Sequence, residues 1–129
     1  MSYNKLLVIT LWLIAFHSIG VGIGMVVSPS DWIAYFNITP SDHRFFITQG
    51  GVFHLIMAIA YIMAASNPTD NEKLIVFSII VKFCATLFLL TYFIFINQFG
   101  IVFLSGISDF CMGLVLLVVC KKYKVELAK

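Results

Sequence analysis

The polar residues of this chain fall in a few short clusters, separated by long stretches that are apolar on every side. Residues 6–27, 45–65, 74–96 and 101–120 form four such stretches. A bilayer-spanning helix needs roughly 20 mostly apolar residues at about 1.5 Å rise each, so each stretch is long enough. The clusters between them are strong helix stops. Ser28-Pro29-Ser30-Asp31 ends the first stretch, Asn67-Pro68-Thr69-Asp70-Asn71 the second, and Asn97-Gln98-Phe99-Gly100 makes a tight turn after the third. Proline lacks an amide hydrogen and clashes with the preceding turn, and small polar residues offer the backbone competing bonds. A membrane strand alternates apolar and polar residues over about ten positions, a pattern absent here. The expected fold is all-α: an integral membrane four-helix bundle, up-down-up-down, with 1–129 a single transmembrane domain. The first apolar run follows Lys5, exceeds the usual signal-peptide length and lacks a small-x-small cleavage site, so it reads as an uncleaved span.

Composition sharpens this picture. The chain is 61% hydrophobic and 11% charged, with a mean hydropathy of +1.03. A soluble domain is about 45–50% apolar and about 25% charged. Too few polar residues are present to clothe a water-facing surface. This excludes a soluble enzyme domain, a disordered chain and a nucleic-acid binder. With four spans, Lys5, Lys73, Lys121, Lys122, Lys124 and Lys129 share one side, Arg44 takes the other, and Lys82 lies within a span. Lysine and arginine mark the cytoplasmic side. Both termini are therefore expected in the cytoplasm, and a bacterial cytoplasmic membrane is the expected location. The same bias argues against a dual-topology protein. The loop from Ser28 to Arg44 suits a short helix capped by Ser30 or Asp31. Trp32, Tyr35 and Phe36 would then lie at headgroup level, either as an anchor or as a lid over an outward-facing cavity.

Each span carries one titratable residue near its middle: His17, His54, Lys82 and Asp109. Counted from the cytoplasmic boundary they lie roughly 12–18 Å deep, in one slab of a ~30 Å hydrocarbon core. A charge at that depth is costly unless it faces the bundle interior and finds a partner. Helical spacing adds Ser78 and Thr86 around Lys82, Ser105 before Asp109, and Tyr61 on the helix of His54, as secondary pocket candidates, with Gln49 on that same helix as a further one. Gly20 and Gly24, in step with His17, form a GxxxG pair suited to close helix packing, and Gly50 and Gly51 precede His54 by one turn. Lys82 and Asp109 are the natural ion pair, because the tight turn makes their helices antiparallel neighbours. The pair either fixes packing or helps bind a polar headgroup, a quinone oxygen or a proton; alternatively Lys82 snorkels to the surface. His17 and His54 are packing residues, members of the polar site, or the two axial ligands of a haem, for which Gly50 and Gly51 would leave room. Zinc lacks a third ligand at this depth. Cys84, Cys111 and Cys120 read as free thiols.

From Gln49 to Val118 the chain resembles the small four-helix DoxX-like membrane proteins of bacteria. The resemblance is carried by Gln49-Gly50-Gly51-Val52-Phe53-His54, Ala64-Ala65 before Asn67-Pro68, Lys82, and Gly106-Ile107-Ser108-Asp109. Named members of that family look like membrane subunits tied to quinol oxidation, sulphur oxidation or oxidative stress. The resemblance implies a four-helix bundle working inside a larger complex, and it supplies no catalytic residues.

The leading expectation is a small membrane subunit or accessory protein of a respiratory or other redox complex. Its polar layer would hold a quinone or lipid, and its partners would be membrane lipids, other membrane subunits or further copies of itself. The alternatives are an oligomeric proton-coupled transporter, a lipid-modifying membrane enzyme using His54 and Asp109 as acid and base, and a bis-His haem protein. The transporter is weakened by the pairing of Asp109, the one carboxylate within the spans, with Lys82. The sequence leaves open whether there is any catalysis.

Overall fold

A computed structural model describes residues 2–29 and 44–128. These residues form four α-helices: α1 (Tyr3–Val27), α2 (Arg44–Ser66), α3 (Glu72–Phe95) and α4 (Gly100–Leu127). All four are long and apolar enough to cross a membrane, and no strand occurs among the described residues. The short helix expected around Ser30, Asp31, Trp32, Tyr35 and Phe36 lies outside the described residues.

The helix ends follow from local chemistry. The Ser2 hydroxyl caps α1 by accepting the Asn4 amide at 3.2 Å. The Arg44 guanidinium, at the first position of α2, donates to the Val26 carbonyl at 3.2 Å. It thus satisfies one of the carbonyls that the last turn of α1 leaves without a helical partner. Between α2 and α3 the Asn67 side-chain amide donates to Asp70 at 2.6 Å, and Asn71 donates back to the Asn67 carbonyl at 3.0 Å. This side-chain turn reverses the chain in five residues. Glu72 then places its charge in the first turn of α3, where the helix dipole favours it.

The fourth helix runs seven residues past Cys120, where the apolar stretch stops. The reason is tertiary. Tyr123 is buried and its hydroxyl pairs with that of Thr69 at 2.9 Å. The Lys124 ammonium pairs with Glu72. The Glu126 carboxylate accepts the Tyr3 amide at 2.9 Å. Each bond joins the end of α4 to a different part of the same end of the bundle, so the helix continues past its apolar stretch.

The helices pack as two hairpins. α1 lies mainly against α2 and α3 against α4; α1 also meets α4 and α2 meets α3, while the backbones of the diagonal pairs stay apart among the described residues. The shared core sits at the end that carries the termini and the lysines. It is built from Leu7, Leu11, Ile14 and Ala15 of α1, Tyr61, Ala64 and Ala65 of α2, Ile75 and Ile79 of α3, and Leu116, Val119, Cys120 and Tyr123 of α4. Each set follows helical spacing, one stripe per helix, which is what directs four otherwise uniformly apolar helices toward one axis.

Glycines set the approach within each hairpin. A Cβ on Gly22 would meet the Gly51 carbonyl at 2.8 Å, and one on Gly51 would meet the Gly22 carbonyl at 2.8 Å. The two backbones are in contact there, and no side chain fits between them. Gly20 and Gly24, the GxxxG pair of the sequence, have nothing within 4 Å of where a Cβ would stand. The close approach uses the glycine between them, because Gly22 shares the inward face with Ile14 and Ser18 while Gly20 points outward. In the other hairpin, a Cβ on Gly106 would meet Leu90 at 2.9 Å and one on Gly113 would meet the Lys82 Cβ at 3.1 Å.

Candidate functional site at the middle of the bundle

The polar residues form a layer directly above the shared core. Lys82 Nζ lies 2.6 Å from Asp109 Oδ1, with the two side chains 4% and 9% exposed. The lysine does not snorkel; its whole length is held inside. Two features of the sequence allow this. Gly113, one turn after Asp109, leaves α4 without a side chain where the Lys82 stem crosses it. Ser78 and Thr86, one turn before and after Lys82, return their hydroxyls to the Leu74 and Lys82 carbonyls at 2.7 and 2.8 Å. They therefore present little polar demand of their own to the interior.

The ammonium also stands 5.6 Å from the centroid of the Tyr61 ring, within the range of a cation–π contact. Tyr61 is 1% exposed, and its hydroxyl makes no hydrogen bond among the described residues. Tyr61 of α2, Lys82 of α3 and Asp109 of α4 thus converge on one point. His17 of α1 and His54 of α2 stand in the same part of the bundle. Both rings lie within electrostatic reach of Lys82 and Asp109, and His54 is within reach of His17. Both are half-buried, and neither ring forms a hydrogen bond among the described residues.

The remaining sequence candidates divide. Tyr61, Ser78 and Thr86 are buried at this level, Ser105 is half-buried, and Gln49 is exposed on the outer face of α2. Gln49 thus lies outside the layer, because it precedes the inward positions Gly51, Ala58 and Tyr61 by the wrong part of a turn. Ser18 was not singled out from the sequence, yet it is buried beside His17. Its signal was the Ile14-Ser18-Gly22 spacing, which the histidine next to it obscures.

The residues do not fit a haem clasped between His17 and His54. The room expected beside His54 is taken up by α1. Met25 Cε would be 2.8 Å from a Cβ on Gly50, and the Gly22 carbonyl and Val26 would each be 2.8 Å from one on Gly51. The glycines bring two helices together and leave no slot for a macrocycle. No group of three metal-ligating side chains occurs among the described residues. Cys84 and Cys111 are exposed and Cys120 is buried, all as free thiols.

What the layer offers chemically is a neutral, paired charge with spare hydrogen-bonding capacity. The ammonium has three N–H donors and spends one on Asp109 Oδ1. The Tyr61 hydroxyl and two imidazoles add donors and acceptors around it. No family model, curated protein or solved structure matches the chain.

Proposed function

We propose that this protein is a small membrane subunit or accessory protein of a respiratory or other redox complex, of the DoxX-like kind, in the bacterial cytoplasmic membrane. In this reading its polar layer binds the head of a quinone or of a neutral lipid. The chain is a small integral membrane protein whose mass is nearly all spanning helix, so it works through what it binds and what it assembles with. The observation that carries the reading is the buried Lys82–Asp109 pair faced by Tyr61. An ion pair kept only for packing would be expected to have its hydrogen-bonding capacity used up by its neighbours. This one shares its part of the bundle with a tyrosine hydroxyl and two histidines that make no hydrogen bonds among the described residues.

The charge balance selects the ligand class. Asp109 already neutralises Lys82, so a phosphate would have to displace it. A quinone carbonyl or an ester carbonyl needs one N–H or O–H donor and brings no charge, and the layer supplies that donor without breaking the pair. The test is the native mass of the protein extracted in mild detergent from its own membrane. The wild type should carry a bound quinone or neutral lipid or come out with partner subunits. The double variant Lys82→Met/Asp109→Leu, which removes both charges, should accumulate normally and lose the small molecule. A bare homo-oligomer from the wild type would reject the reading in favour of the transporter.

A further inference from the structure

A second candidate site lies away from the polar layer, on the end that carries the lysines. Between the first turn of α1 and the last two turns of α4 is an open groove of about 600 Å³, lined by Tyr3, Lys121, Lys122, Val125 and Glu126. We infer that this groove binds the phosphodiester of an anionic phospholipid.

Position supports this first. The apolar stretch of α4 ends at Cys120 and the groove's lysines follow at once, which sets the groove at headgroup depth. Charge supports it next. The two ion pairs among the described residues are Lys82–Asp109 and Lys124–Glu72, so Lys121 and Lys122 have no carboxylate partner there. The lining carboxylate, Glu126, turns its Oε2 to the start of α1, where it accepts the Tyr3 amide at 2.9 Å and the Ser2 hydroxyl at 3.5 Å. Its charge is thus directed at the start of α1. Lys122 also has an aromatic neighbour, its Nζ 5.5 Å from the centroid of the Tyr3 ring. A cation over an aromatic ring at a groove wall is better organised for a phosphate than a lysine moving freely in water. Val125, exposed beside them, provides an apolar wall for the glycerol and the first methylenes of a chain.

The occupant would have a mechanical effect. Tyr3 belongs to one hairpin and Lys121, Lys122 and Val125 to the other, so a bound headgroup bridges the two. Anionic lipid should therefore stabilise the assembled bundle as well as adhere to it.

The experiment uses the full chain in mild detergent, with phosphatidylglycerol, phosphatidylcholine or inorganic phosphate added. Retained lipid is read by native mass and thermal stability by unfolding. Phosphatidylglycerol should be retained and should raise the unfolding temperature, and phosphatidylcholine should do neither. Lys121→Gln/Lys122→Gln should weaken the retention by roughly thirtyfold, the share of two lysines at an anionic surface. Lys121→Arg/Lys122→Arg should keep it, which also shows that the site tolerates substitution. Lys5→Gln, on the same end but outside the groove, should leave it within about twofold. A loss of about fivefold from Lys5→Gln, the share of one lysine by charge alone, would overturn the inference in favour of a diffuse charge effect. Equal stabilisation by inorganic phosphate or phosphatidylcholine would overturn it as well.

Discussion

The two halves of this bundle are built differently. At the lysine-bearing end, all four helices contribute to one core, and side chains tie the ends together: Glu126 to Tyr3, Tyr123 to Thr69, Lys124 to Glu72. Beyond Lys82 and Asp109, each hairpin is close-packed within itself through Gly22 and Gly51 or through Gly106. No large apolar side chain of that half is fully buried among the described residues. The contacts identified between the hairpins lie at the polar layer or on its lysine-bearing side. Among the described residues the polar layer is thus the boundary between a half with a shared core and a half without one. A ligand head resting on Lys82, Asp109 and Tyr61 would have the shared core beneath it, and its apolar tail would extend into the other half.

The largest effect should come from the boundary itself. Asp109→Ala leaves unpaired the ammonium of Lys82, a residue 3% exposed, and breaking a buried pair from one side costs about 3–5 kcal/mol. Thermal unfolding in detergent should show a large drop or a failure to accumulate. Lys82→Met/Asp109→Leu should recover most of the loss, since replacing both partners with apolar groups is often neutral. If the double variant is as unstable as the single one, the pair is needed for the fold, and the ligand reading loses its main support.

Next comes the difference between the halves. Leu116 is fully buried in the shared core and Leu87 is 70% exposed beyond the layer. Leu116→Ala should cost about 2–5 kcal/mol through lost contacts and the cavity left behind. Leu87→Ala should stay within about 0.5 kcal/mol. Comparable losses in the same unfolding assay would show that the second half has a core too.

How far the sequence revealed this arrangement depended on the kind of pattern. The spans were legible because length and punctuation suffice to define a membrane helix, and α1, α2 and α3 end within a few residues of where proline, asparagine and glycine place them. The common level of Lys82 and Asp109 in the bundle was legible by counting residues, and the tight turn between their helices made them partners. Helix rotation was not. Helices apolar all round carry little amphipathic signal, so the inward face has to be read from small residues, and two overlapping readings competed on α1. Gly20-Gly24 fits a known packing motif, whereas Ile14-Ser18-Gly22 is the face that packs. The length of α4 was hidden for a different reason: Tyr123 and Glu126 extend it through contacts with Thr69 and Tyr3, which are remote in sequence.

A smaller effect is expected at the hairpin contact. Gly51→Val puts a branched side chain where even a Cβ meets a backbone carbonyl at 2.8 Å and Val26 at 2.8 Å. Neither helix can yield without separating, and overpacking of this kind costs about 1–3 kcal/mol. Because α1 and α2 also carry His17 and His54, the same variant should reduce ligand retention by more than its loss of stability accounts for. If retention is unchanged while stability falls, the histidines take no part in binding, and the site contracts to Tyr61, Lys82 and Asp109.

The smallest effect has the opposite sign. Gly20 and Gly24 have open space where a Cβ would go, so alanine there meets no neighbour. Glycine in a helix interior is less favourable than alanine by about 0.5–1 kcal/mol. Part of that difference vanishes in a membrane, where the unfolded state stays helical because its backbone has no water to bond. Gly20→Ala/Gly24→Ala should therefore be neutral to slightly stabilising, by at most about 1 kcal/mol, whereas Gly22→Ala should destabilise. The GxxxG reading of the sequence demands the reverse ranking. Loss of stability in the double variant would mean that Gly20 and Gly24 meet a second chain in the membrane. The outer face of α1 would then be a contact between protein copies, and the comparison of the two halves would have to be drawn for an assembly.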